Sequence, residues 1–177
     1  MDKVFRITLV TGGARSGKSA LAEGLAARGG PGARIYIATS EPGDEEMARR
    51  IALHRDRRGP DWHTVEAPRD LAGALAASDG QGVRLVDCLT LWLSNLMAEG
   101  DPTPQVHRLC EVLGAQHSPV VLVTNELGLG IVPENALARR FRDEHGWMNQ
   151  AVAAIADDVW MAVSGLPLRL KPTRGTP

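Results

Sequence analysis

The stretch Leu9-Val10-Thr11-Gly12-Gly13-Ala14-Arg15-Ser16-Gly17-Lys18-Ser19 constrains this chain more than any other. It fits G-x-x-x-x-G-K-[ST], with Gly12, Gly17, Lys18 and Ser19 at the fixed places. Ile7 to Val10 is an apolar, β-branched run that reads as a buried strand, and Ser19 to Ala27 reads as a helix. Strand, glycine loop and helix in that order are the context that turns the motif into a phosphate-binding loop. Glycines let the backbone curl until consecutive N–H groups point at phosphate oxygens. The helix N-terminus adds partial positive charge. The expected nucleotide contacts are Gly12, Gly13, Ala14, Arg15, Ser16, Gly17, Lys18 and Ser19. Lys18 is expected on the β- and γ-phosphates, and the Ser19 hydroxyl on Mg²⁺.

The remainder of the chain alternates strand and helix patterns. Strands are expected at 33–39, 63–66, 83–87, 119–124 and 159–163, with a further edge strand at 168–171. Helices are expected at 44–58, 70–77, 89–98, from Thr103 to about Leu113, and as two pieces, 136–144 and 148–156, on either side of Gly146. Asp44 caps the first of these, and Thr103 caps the fourth with Pro104 in its first turn. Continuously apolar strands between helices argue a mostly parallel sheet covered on both faces. The fold class that follows is α/β, a P-loop NTPase-type three-layer fold, in a single domain over 1–171 with a loose tail at 172–177. Ligands in such sheets sit beyond the carboxyl ends of the strands. That places the loop, Thr39-Ser40, Asp87 and Thr124-Asn125-Glu126 on one rim.

Composition excludes several classes. The 177 residues carry a net charge of −1 and are 44% hydrophobic, so neither a basic nucleic-acid binder nor an acidic disordered chain is indicated. No apolar run approaches the roughly 18 residues of a membrane span. Residues 1–6 lack the layout of a secretion signal. Cys88 and Cys110 stand apart without metal spacing, which fits a reduced cytoplasm. Asn-Lys-x-Asp is absent, so the chain does not read as a switch GTPase.

Two further features carry chemistry. Asp87 ends an apolar strand, where a carboxylate would help hold Mg²⁺; the other reading is a cap for the next helix, and the position relative to the loop favours the metal. His54 lies in Arg49-Arg50-Ile51-Ala52-Leu53-His54-Arg55-Asp56-Arg57-Arg58, with five arginines within ten residues. Arginine forks bind phosphate oxygens bidentately. Neighbouring cations disfavour imidazolium and so keep the ring nucleophilic. On chemistry alone, a surface histidine on a charged helix face remains the more ordinary reading. His63, His107 and His117 have no ligand-spaced partner, and His145 beside Gly146 reads as a helix end.

Together these motifs resemble the bifunctional adenosylcobinamide kinase / adenosylcobinamide-phosphate guanylyltransferase family of cobalamin biosynthesis. The resemblance runs through Thr11–Ser19, Tyr36–Ser40, Arg50-Ile-x-x-His54-Arg with Trp62 and Glu66, and Val86–Trp92. It continues through Val123–Asn135, Phe141-Arg-Asp143 with Asn149-Gln150, and Val163–Pro167. One departure is Gly59, which displaces the expected proline to Pro60. The resemblance implies that His54 carries GMP covalently. It implies nucleotide contacts from Ala38, Thr39, Ser40, Arg55, Asp56, Arg57, Arg58, Glu66 and Asp87, besides the loop. It also implies ATP and GTP as co-substrates, adenosylcobinamide and its phosphate as acceptors, and a homotrimer. A small-molecule kinase without guanylyltransfer, or a regulatory ATPase, would use the same loop.

Overall fold

A computed structural model describes residues 6–30, 32–41 and 61–172. Seven strands form one sheet: β1 (Ile7–Gly12), β2 (Ala33–Ala38), β3 (Trp62–Glu66), β4 (Gly82–Asp87), β5 (Val120–Val123), β6 (Asp158–Val163) and β7 (Leu166–Lys171). Their order across the sheet is β3-β2-β4-β5-β1-β6-β7. Every pairing is parallel except that of β6 with β7. The helices are α1 (Lys18–Ala26), α2 (Leu71–Ala77), α3 (Leu89–Glu99), α4 (Thr103–Ala115) and α5 (Ala136–Ile155).

The inner strands β1, β2, β4 and β5 are mainly apolar because both of their faces are covered, whereas the edge strands β3 and β7 are largely exposed. Ile7, Leu9, Ile35, Ile37, Val86, Val120 and Leu122 face a core built with Leu71, Leu89, Trp92, Leu93, Leu109, Met148 and Val152 from α2 to α5. The alternate residues Val10, Tyr36, Val83, Leu85, Val121 and Val123 pack with Ala22 and Ala26 of α1. Strand periodicity of two thus sends neighbouring residues into separate cores, and the three-layer α/β arrangement read from the sequence is the one observed.

Besides shifts of a residue or two at other ends, three differences from the sequence reading have a structural cause. Residues 136–155 form one helix, not two broken at Gly146. A single helical glycine costs about 1 kcal/mol relative to alanine. Here His145, Met148 and Val152 are buried along one stripe, and the Asn135 side chain caps Leu137 and Ala138 N–H. Burial on three turns outweighs one glycine. The final strand starts at Leu166, because Ser164 (φ 52°) and Gly165 (φ 82°) make a two-residue hairpin turn that returns the chain antiparallel to β6. Thr103 is the first residue of α4 and not its cap: Asp101 Oδ1 accepts from both its N–H and its hydroxyl. The expected helix at 44–58 lies outside the described residues, as does the tail beyond residue 172.

Candidate active site

The loop between β1 and α1 has the geometry its glycines permit. Gly12 (φ 156°) and Gly17 (φ 93°) both take conformations that side chains rarely adopt. A Cβ on Gly12 would stand 2.7 Å from the Ala162 carbonyl, and one on Gly17 would stand 3.2 Å from Gly165 Cα. Arg15, at φ 55°, supplies a further left-handed residue. The loop is held from two sides. Gly165 N–H, in the β6–β7 turn, donates to Ser16 O at 2.9 Å, and Glu126 N–H, beyond β5, donates to Gly12 O at 3.0 Å. Lys18 Nζ donates to Gly13 O at 3.0 Å, so the ammonium folds back over the loop. Thr11 Oγ1 and Ser16 Oγ are buried without a hydrogen-bond partner among the described residues. Buried hydroxyls left in that state ordinarily have a reason, and here one lies in the loop and the other in the strand that leads into it.

Sheet register assembles the other rim residues. Ala38 at the end of β2 pairs with Glu66 of β3 on one side and with Asp87 of β4 on the other. Asp87 in turn pairs with Val123 of β5, and β5 borders β1, so one strand separates Asp87 from the loop strand. The Tyr36 hydroxyl donates to Asp87 Oδ2 at 3.0 Å. Cys88, not Asp87, occupies the cap position of α3, so capping does not explain the carboxylate. Burial and the adjacent Asp87 charge push the Cys88 thiol up to about 11, against hydrogen bonds from the Leu91 and Thr90 N–H groups and, least, the Lys18 charge. The thiol is inert at neutral pH.

Thr39 is fully buried, and its hydroxyl is taken up by the backbone of Cys88. It donates to Cys88 O at 2.7 Å and accepts from Cys88 N–H at 2.8 Å. Asn95 Nδ2 of α3 donates to Thr39 O and to Pro68 O, tying the ends of β2 and β3. Thr39 thus fixes the positions of Ala38 and Ser40. His54, Arg55, Asp56, Arg57 and Arg58 lie outside the described residues.

Sequence reasoning missed two features next to the rim. One is the Ser164–Gly165 turn that buttresses the loop, although serine-glycine between two strand patterns is itself a hairpin signal. The other is His145, which is 1% exposed and bonded to Thr90 and Thr124. Its signal was the 3–4 spacing with Phe141, Met148 and Val152, hidden by reading Gly146 as a break.

The residues present fit Mg²⁺. Among the described residues no group of three or more His, Cys, Asp or Glu can hold a metal. Magnesium instead keeps waters and takes one or two protein oxygens together with substrate phosphates. Ser19, in the first turn of α1, and the Asp87 carboxylate are hard oxygen donors on the same rim.

A glycine loop between a parallel strand and a helix, with a lysine folded over it and a strand-end carboxylate one strand away, defines a P-loop nucleotide-binding protein. The chain belongs to the CobU family, cobinamide kinase / cobinamide phosphate guanyltransferase, which it matches over residues 8–170. It is 50% identical over 167 residues to the bifunctional adenosylcobalamin biosynthesis protein CobP of Pseudomonas aeruginosa, covering 92% of this chain and 96% of that one. It is 44% identical over 180 residues to CobU of Salmonella typhimurium, covering 92% and 98%. Among solved structures, a KaiC-like protein from Pyrococcus horikoshii shares the fold, with a TM-score of 0.53 and 15% identity over 91% of this chain and 76% of that one. Among the described residues no helix is long and apolar enough to cross a membrane.

Proposed function

We propose that this chain carries out two transfers on one phosphate-binding rim. In the first, the γ-phosphoryl group of ATP or GTP passes to the free hydroxyl of adenosylcobinamide. In the second, a nitrogen of His54 attacks the α-phosphorus of GTP. A P–N bond forms, the bond to the β-phosphate oxygen breaks, and pyrophosphate leaves. A phosphate oxygen of adenosylcobinamide phosphate then attacks the same phosphorus, the P–N bond breaks, and adenosyl-GDP-cobinamide is released. The observation that carries this reading is the match to the family over residues 8–170; the glycine loop with Lys18 folded over it, and Asp87 at the end of β4, support it.

The residues divide the work. Backbone N–H groups of Gly12 to Ser19 and the Lys18 ammonium offset the phosphate charge that develops in both transfers. Ser19 and Asp87 would hold Mg²⁺, which when bound neutralises the same phosphates. Ala38, Ser40 and Glu66 line the nucleotide along the sheet edge. Arg55, Arg57 and Arg58, with Asp56 among them, bind phosphate oxygens and keep the His54 imidazole unprotonated. Residues 1–171 act as one domain, the protein works in the cytoplasm, and three copies associate.

The test uses GTP labelled in the α or the γ position. A phosphoramidate is acid-labile, because a protonated ring is a good leaving group, and it is comparatively stable in alkali. Label from α-labelled GTP is expected to stay on denatured protein in alkali and to leave in mild acid; γ label is not expected to stay. His54→Asn should abolish both labelling and guanylyltransfer while sparing much of the kinase step. Acid-stable label, or label that survives in His54→Asn, would identify another nucleophile. No label at all would leave a kinase without guanylyltransfer.

A further inference from the structure

Below the rim, at the carboxyl end of β5, four polar side chains from three elements meet. His145 and Asn149 come from α5, Thr90 from α3, and Thr124 from the residue following β5. His145 is 1% exposed, and Thr124 is fully buried. His145 Nε2 lies 3.0 Å from Thr90 Oγ1 and 3.3 Å from Thr124 Oγ1. On the other side of the ring, Asn149 Nδ2 lies 3.4 Å from Nδ1. The Thr124 hydroxyl donates to Asn149 Oδ1 at 2.8 Å, which fixes the orientation of that amide.

These contacts determine the state of the ring. Asn149 presents its NH₂ group to Nδ1, so Nδ1 must accept, and the ring proton sits on Nε2, directed at the two threonine hydroxyls. A second ring proton would set one N–H against another. Burial acts in the same direction, lowering the His145 pKa to about 4 against a smaller pull from Glu126. The ring is neutral under physiological conditions, and it does not touch the rim surface.

What the network holds is the backbone of Asn125. Asn125 N–H donates to Thr90 Oγ1 at 2.9 Å, and Asn149 Nδ2 donates to Asn125 O at 3.1 Å. Both backbone polar groups of this loop residue are therefore engaged by side chains that His145 bridges. The next N–H, that of Glu126, makes the 3.0 Å bond to Gly12 O. An unbroken chain of hydrogen bonds thus runs from a buried imidazole to the first glycine of the phosphate loop.

We propose that His145 is a positioning residue for nucleotide binding: as a neutral imidazole it locks Thr90, Thr124 and Asn149, and through Asn125 and Glu126 it holds the phosphate loop in its binding shape. This deepens the reading of the loop as the nucleotide site and rests on it. It requires two hydrogen-bonding atoms on opposite sides of residue 145, one donor and one acceptor. Glutamine can supply both, and leucine neither.

The experiment measures GTP affinity by calorimetry on the full chain, at a temperature where circular dichroism shows each variant folded. His145→Leu is expected to weaken GTP binding about tenfold, or about 1.4 kcal/mol. His145→Gln should return to within about threefold of wild type, because its amide restores one donor and one acceptor. Where His145→Leu does not fold, Thr90→Val takes its place, since it removes the hydroxyl that holds Asn125 N–H, and should weaken binding in the same sense. Wild-type affinity in folded His145→Leu or Thr90→Val overturns the proposal. So does a His145→Gln variant as stable as wild type yet as weak as the leucine variant. A wild type that binds no GTP overturns this proposal along with the nucleotide-site reading. A wild type that binds GTP but takes no α label overturns only the covalent step, and the affinity comparison still decides the role of His145.

Discussion

Asp87 shows how one side chain acquires a role from its place in the register. Its sequence context, Val-Arg-Leu-Val-Asp-Cys-Leu, says only that a carboxylate ends a buried strand. The structure adds that it shares a row with Ala38 and Glu66, accepts from the Tyr36 hydroxyl, and does not cap α3. A carboxylate so placed is suited to a hard cation. Asp87→Asn should keep the hydrogen bond from Tyr36 and lose the anionic charge. The expected outcome is a higher Mg²⁺ requirement, read by titrating the metal against the rate of phosphoryl transfer. An unchanged titration would reduce Asp87 to a structural residue. The same lesson applies to Thr39, whose hydroxyl is held between Cys88 N–H and Cys88 O and so shapes the rim from below.

Among the elements, α5 departs furthest from expectation. Local propensity breaks it at Gly146; tertiary burial of His145, Met148 and Val152 keeps it whole. A Cβ added at Gly146 would meet nothing within 4 Å. Gly146→Ala should therefore stabilise the protein by about 0.5–1 kcal/mol, since the unfolded chain loses freedom and the helix loses nothing. For a domain of this size that is a rise of about 1–4 °C in the unfolding temperature, measured by calorimetry. A lowered melting temperature would mean that the glycine meets a need the helix geometry does not reveal. The β6–β7 hairpin teaches the complementary point. Its turn is local chemistry, but its contact with Ser16 O depends on where β6 lies beside β1.

On the scale of the molecule, binding and stability sit at opposite ends of the sheet. The carboxyl ends of the strands carry the rim. Near the amino end of β4, fully buried Arg84 pairs with Asp79 at 3.1 Å, donates to Gly82 O and bonds Gln116 Oε1. Burial pushes the Asp79 carboxyl upward, but hydrogen bonds from Ser118 N–H, the His117 ring and the His117 N–H, with the Arg84 charge, outweigh it and hold it well below the usual carboxylate range. A carboxyl depressed in the folded state stabilises the protein above its unfolded value of about 3.9, and that contribution is lost as pH falls through the folded value. Asp79→Ala should cost about 3 kcal/mol at pH 7, because it leaves the buried guanidinium short of its counter-charge. Urea unfolding should also show a smaller loss of stability on acidification below about pH 4 than wild type does. GTP affinity measured on the folded variant should not change. A weakened affinity would mean that the two ends of the sheet are coupled.

The phosphate loop and the alternation of buried strands and helices are legible from the chain alone, and with them a parallel α/β sheet whose loop lies at the strand ends. These are signals carried by neighbours in the chain: glycine spacing, apolar runs and the motif's fixed lysine. It also carried enough of the family's motifs for the resemblance to span nearly the whole chain. Which strand lies beside which is set by the packed fold, which puts Ala38, Glu66 and Asp87 in a row with one strand between Asp87 and the loop. It alone decided that α5 is continuous and that His145 turns inward to Thr90 and Thr124, 55 and 21 residues away in sequence. The physical reason is burial. Whether a histidine is a helix end on the surface or a neutral bridge in the core depends on what packs over it, and that comes from segments far along the chain.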